Sequence, residues 1–207
     1  VYHLAFTFSD PPTFIEGMEE VRYTNQESVA LMEIDFALFP EILGGSINIE
    51  KASVNNEPVR PAFSLGIMRL PLPTALRPGD SVEVQIEFSI TLPTQGGDYY
   101  YGIYGYNDGI LSLAHAYPTI LVYNEQGWKN KLPDLDGAPL FSDTSFYLIS
   151  IDAPNNLVLA ASGAEISREI EAGRQKVMYA AGPARDFYLA ASDKFEKYSE
   201  TAGEITY

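Results

Sequence analysis

The sequence predicts an all-β fold, an antiparallel β-sandwich or a related sheet domain with a long tyrosine-rich loop region inside it. Three observations predict this. Apolar and polar residues alternate with period two in many short segments. Turn-forming residues separate those segments at spacings of roughly 8–12 residues, the rhythm of a sandwich. No window shows the sustained three-four apolar spacing of an amphipathic helix.

The predicted strands run in order along the chain. Tyr2–Phe8 and Phe14–Tyr23 come first, split by Asp10-Pro11-Pro12. In Ala30–Leu38, Ala30, Met32, Ile34, Phe36 and Leu38 fall on one face, and Glu33 and Asp35 on the other. Ser46–Val54 follows Gly44-Gly45, and Ile67–Leu72 is a short strand interrupted by Pro71. Thr74-Ala75-Leu76 is expected to form one helical turn before Pro78-Gly79. In Val82–Thr91, Val82, Val84, Ile86, Phe88 and Ile90 alternate with polar residues. Such alternation gives a half-buried strand, because successive side chains point to opposite faces. Ser145–Ala153 and Leu157–Ala161 flank a Pro154-Asn155-Asn156 turn. Arg174–Ala180 follows a hairpin signal, Glu171-Ala172-Gly173, and Asp186–Ser192 closes the series. No linker, repeat or charge run breaks the chain, so residues 1–207 read as one domain.

Composition narrows the function classes. Thirteen basic and 28 acidic residues give a formal charge of −15. Nucleic acid is a poor partner for such a chain, since phosphate binding needs a clustered basic surface. An anionic membrane surface is disfavoured for the same reason. Cysteine is absent, which removes disulfides, thiolate nucleophiles and zinc–thiolate sites. No apolar stretch reaches the ~18 residues of a membrane span. The acidic composition and the absence of a starting methionine are compatible with an extracellular or membrane-tethered location.

Candidate chemistry is sparse. Gly96–Tyr106 carries five tyrosines, Tyr99, Tyr100, Tyr101, Tyr104 and Tyr106. They read either as an aromatic surface for a sugar or peptide or as cross-strand packing on an edge hairpin. Residues 107–143 show few alternating segments and read as a long loop. Within it, His115 has no Ser or carboxylate partner close in sequence and reads as a histidine held inside a loop. His3, near the terminus on a strand, is a weaker candidate still. Asp134, Asp136 and Asp143 bracket Gly137, but the bidentate glutamate of a calcium loop is missing, so they read as solvated turn residues. Ser112, Ser142 and Ser145 lack a nucleophile elbow. Trp128, the sole tryptophan, reads as an anchor pinning the loop to the core. No metal site is expected within this chain.

Several segments together resemble one family. Phe14-Ile15-Glu16-Gly17 with Val21-Arg22-Tyr23-Thr24-Asn25 is similar to its early strand pair, and Leu76-Arg77-Pro78-Gly79-Asp80 to its Pro-Gly turn. Tyr117-Pro118, Gly127-Trp128 and Ser142–Tyr147 follow in the order seen in a bacterial branch. Ile151–Pro154, Leu157–Gly163, Ala184–Phe187 and Leu189–Ser192 then resemble its closing strands. The family is the aminopeptidase N family of zinc metallopeptidases, and the resemblance is to its N-terminal domain.

The resemblance implies a saddle-shaped, non-catalytic β-domain preceding a helical catalytic domain, where an H-E-x-x-H motif holds zinc. It implies a catalytic domain downstream in the same chain as partner, and a peptide as the substrate of the parent protein. In the family a Gln or Glu of the N-terminal domain, some ten residues before a Phe-Pro step, binds the substrate's free amine. Here Tyr117-Pro118 stands for that step, and the preceding stretch lacks the expected glutamine–glutamate pair and the arginine. Asn107 and Asp108 are candidates by location, with Tyr106, His115 and Tyr117 as further cleft candidates. Tyr99, Tyr101 and Tyr104 are the candidates for an aromatic surface in a stand-alone protein- or glycan-binding module.

Overall fold

The computed structural model describes residues 1–94, 102–130, 142–198, 200–202 and 205–206. Tyr99, Tyr101, Asp134 and Asp136 lie outside the described residues. The strands are β1 (Tyr2–Phe8), β2 (Phe14–Thr24), β3 (Leu31–Ala37), β4 (Ser46–Val54), β5 (Glu57–Pro58), β6 (Ala62–Ser64), β7 (Ile67–Leu76), β8 (Ser81–Thr91), β9 (Tyr104–Asn107), β10 (Ile110–Ala114), β11 (Thr119–Ile120), β12 (Tyr123–Asn124), β13 (Gly127–Trp128), β14 (Ser145–Pro154), β15 (Val158–Ala161), β16 (Ala164–Glu171), β17 (Arg174–Ala184), β18 (Tyr188–Ser192), β19 (Thr201–Ala202) and β20 (Ile205–Thr206). One helical turn, α1, spans Phe39–Ile42.

An eight-stranded sheet, β16-β17-β14-β1-β2-β8-β4-β5, dominates the molecule. Two four-stranded sheets, β15-β18-β10-β9 and β11-β3-β7-β6, accompany it. The predicted all-β class is what the chain adopts. Among the described residues, pairing is antiparallel apart from one contact: β1 runs parallel to β14, with Tyr2 opposite Tyr147 and Phe6 opposite Ile151.

The core forms where the period-two pattern holds. Val82, Val84, Ile86, Phe88 and Ile90 of β8 are all buried, as are Tyr2, Leu4, Phe6 and Phe8 of β1. β2 lies between these strands. It carries Ile15 and Val21 into the core, and between them Gly17 and Glu19. Gly17 is required by crowding: a Cβ there would lie 2.3 Å from the Phe88 ring.

The structure corrects four expectations. A bulge between Leu31 and Glu33 shifts the register of β3. Leu31 is therefore buried and Met32 is 63 % exposed, the reverse of strict alternation. Asp35, expected on a polar face, is fully buried, with Arg69 Nε 3.3 Å from its Oδ1. Thr74–Leu76 is the end of β7 instead of a helical turn, because Leu76 pairs with Leu31. Pro71 and Pro73 are tolerated there since β6 pairs only with Ile67–Arg69, leaving the rest of β7 open on that side. The stretch after residue 107 is not a bare loop: it holds β10 to β13, whose two- to five-residue ladders are too short to print a period in the sequence.

β16 was not foreseen. It is exposed along its whole length at the edge of the large sheet, so no apolar face marks it. The hairpin signal before Arg174 is real, and Ala172 and Gly173 both take positive φ, 49° and 80°.

Candidate functional site

Chain reversal at the end of β10 builds the first part of the site. His115 follows Ala114 with φ of 52°, a left-handed conformation uncommon for a residue with a side chain. Its ring is buried at 8 % exposure and lies 4.9 Å from the ring of Phe39 in α1. Asp186, between β17 and β18, reaches it from 71 residues further on. His115 Nδ1 and Asp186 Oδ2 are 3.0 Å apart. The ring nitrogen nonetheless has no aligned hydrogen-bond partner, so the two groups are close without a hydrogen bond between them.

Tyr117 completes the group. Its hydroxyl donates to Asp186 Oδ1 at 3.0 Å. Its ring meets Tyr2 edge-on at 5.6 Å and Tyr147 at 6.1 Å, while Tyr2 and Tyr147 stack at 5.2 Å. Burial, then the charge of Asp186, pushes the Tyr117 phenol well above its ordinary range. Burial does the same to Tyr2 and lifts Tyr147 to about 12. These phenols therefore stay protonated at neutral pH. They act as neutral hydrogen-bonding groups, Tyr117 as a donor and Tyr2 as an acceptor, and as apolar walls, not as bases.

A polar cleft of about 490 Å³ opens beside them. Tyr2, Tyr23, Tyr123, Tyr147, Glu27 and Asp143 contribute to its lining. Burial lifts the Tyr23 phenol to about 12, and Glu27 and Asp143 add to the shift. The backbone N–H of Ile120 donates to the Tyr2 hydroxyl at 3.1 Å, tying β11 to the large sheet. Trp128 pins the next segment, its indole N–H donating to Glu33 O at 3.2 Å. The anchor reading of this tryptophan matches its surroundings, with Tyr123 edge-on at 5.2 Å.

The sequence candidates fall into two groups. His115 and Tyr117 are brought together by Asp186. Tyr106, Asn107 and Asp108 sit at the other end of β10, roughly 15 Å away by strand rise. Asn107 and Asp108 begin the turn to Ile110, with positive φ at Asp108 and Gly109, 50° and 80°. Ser192 Oγ donates to Gly109 O at 2.8 Å and the Lys194 ammonium donates to Asp108 O, so the turn is held to β18. Tyr104 is 5 % exposed and its hydroxyl has no partner, so it belongs to the core and not to an open aromatic surface. His3 lies at the surface, 3.8 Å from Glu20.

Among the described residues, no three His, Cys, Asp or Glu side chains converge to hold a metal ion. No helix among them is long and apolar enough to cross a membrane. Sequence reasoning missed Asp186, because a carboxylate 71 residues away leaves no local signal. It also missed the tyrosine-lined cleft, whose members come from four separated segments.

Comparison with protein-family models finds no match, and comparison with curated proteins finds none either. Solved structures do match. The M1 zinc metallopeptidase from Deinococcus radiodurans aligns over 99 % of this chain and 44 % of its own, at 17 % identity and a TM-score of 0.61. A mutant of a two-domain M1 zinc metallopeptidase bound to L-arginine aligns over 99 % and 45 %, at 17 % identity and a TM-score of 0.64. A mutant of the Deinococcus radiodurans enzyme bound to a Tyr-Ser-Ala substrate aligns over 99 % and 45 %, at 16 % identity and a TM-score of 0.61. The chain thus spans less than half the length of the structures it matches, and what it shares with that part of these M1 zinc metallopeptidases is their fold.

Proposed function

We propose that this chain is the non-catalytic N-terminal domain of an aminopeptidase-type zinc metallopeptidase of the aminopeptidase N family. In this reading it packs on a downstream catalytic domain, where zinc is bound, and shapes the cleft that receives a peptide. The observation that carries it is the shared fold: almost the whole chain superposes on M1 zinc metallopeptidases, yet accounts for less than half of each.

The candidates divide by reach. Half-buried Asn107 and exposed Asp108, at a hairpin turn, carry side-chain oxygen atoms of the kind that bind a substrate ammonium. His115 and Tyr117 are buried, so they support the cleft from inside instead of touching a ligand.

The test is made on the longest product of the gene. Zinc content and hydrolysis of aminoacyl substrates are measured with and without residues 1–207. The reading expects zinc in both forms and a large loss of exopeptidase activity when the domain is missing. A gene product without an H-E-x-x-H segment after this domain overturns it.

A further inference from the structure

Glu19 is an acid in a place where ordinary sheet proteins put a hydrocarbon. It sits in the middle of β2, fully buried, and neither carboxyl oxygen has a hydrogen-bond partner. Its cross-strand neighbours are Leu4 of β1 and Ile86 of β8, both buried. Gly17 and Val21 flank it on the same face of its own strand.

The ionisable groups around it offer no compensation. Tyr2 of β1 and Tyr147 of β14 are the titratable groups that feel its charge, and both are phenols. β8 presents only apolar side chains on this face. The buried acid of the smaller sheet, Asp35 of β3, is already taken by Arg69. On β2 itself Glu20 and Arg22 alternate to the opposite, outer face. An ionised carboxylate here is an unpaired buried charge, among the costliest groups a fold can carry.

We propose that Glu19 makes this fold pH-sensitive: it is carried as a neutral acid between the sheets, and loss of its proton is coupled to opening of the β1–β2–β8 layer over the core. Burial alone holds the carboxyl well above the usual carboxylate range, which agrees with the geometry. In the unfolded chain the same group ionises near its ordinary value of about 4.3. Below that pH both states hold the proton, and Glu19 leaves stability unchanged. Above it the unfolded chain releases a proton that the folded chain keeps. The folding equilibrium then falls about tenfold per pH unit until the folded-state carboxyl itself ionises. The direction is opposite to that of a salt-bridged carboxylate, which loses its contribution on acidification.

This inference does not depend on the peptidase reading. Urea unfolding of the chain is followed between roughly pH 5 and 8 for the natural protein and for Glu19→Gln, where the tenfold-per-unit slope applies. Glutamine keeps the shape and the unsatisfied oxygen but cannot ionise. The ratio of unfolding constants, natural over Glu19→Gln, is expected to climb up to about a thousandfold across that range. Repulsion from the acidic surface is common to both proteins and cancels. A ratio that stays flat with pH overturns the proposal. Should Glu19→Gln fail to fold, carbon-13 NMR of the Glu19 carboxyl in the natural protein decides: a protonated signal at neutral pH supports the proposal, and an ionised one overturns it.

Discussion

The β1–β2–β8–β4 part of the large sheet and the Tyr104–Trp128 segment both bury aromatic and aliphatic side chains, but they hold them differently. β2 and β8 pair over eleven consecutive positions, and their inward side chains form one apolar surface. In Tyr104–Trp128 the ladders run for two to five residues. There, single polar contacts hold the chain: Tyr117 to Asp186, Ile120 N–H to Tyr2, Leu121 N–H to Asp35 O and Trp128 to Glu33 O. Long strands draw their stability from apolar area summed over many inward side chains. Short ones depend on individual hydrogen bonds supplied from distant parts of the sequence.

Mutations sharpen this contrast. Phe88→Ala removes a fully buried ring that packs over Gly17 and meets Phe6 at 6.3 Å. It should cost about 3–5 kcal/mol of global stability, read from the urea midpoint at unchanged m-value. Asp186→Ala deprives the buried Tyr117 hydroxyl of its acceptor and should cost about 1–3 kcal/mol. Its mark should be local: amide exchange accelerated over residues 114–121, with β2 and β8 still protected. If exchange instead rises evenly through the large sheet, the two regions are one cooperative unit and the contrast fails. Trp128→Phe keeps most of the ring but loses the bond to Glu33 O, and about 1 kcal/mol should go with it. Exchange at residues 122–130 is the measurement that detects so small a change.

The same contrast explains what the sequence could disclose. Tyr2–Phe8 and the core face of β8 were legible because each repeats one physical choice, apolar inward and polar outward, several times over. Leu31 and Met32 exchange roles at a bulge, which a period count cannot anticipate. β16 lies at a sheet edge with no buried face, so its sequence carries strand propensity without a pattern. In the candidate site His115 and Tyr117 were visible as residues but not as a pair. Asp186, the group that joins them, enters through a turn between two other strands. Glu19 was hidden because a single acid among alternating residues looks like a solvent position, and only its register between Leu4 and Ile86 puts it inside.

The parallel pairing of β1 with β14 has a consequence during synthesis. β1 forms the seam between two blocks, β2-β8-β4-β5 on one side and β16-β17-β14 on the other. The first block can assemble as soon as β8 has left the ribosome, but the far edge of β1 then stays open until Ser145–Pro154 emerges. At ordinary elongation rates that wait from β8 to β14 lasts on the order of several seconds. For that interval the nascent chain displays the unpaired amides of a strand whose buried face is Tyr2, Leu4, Phe6 and Phe8. Such an edge is the kind that other chains pair with and that ribosome-bound chaperones guard. Slower translation between residues 91 and 154 is therefore expected to lower the share of this protein that reaches its native state.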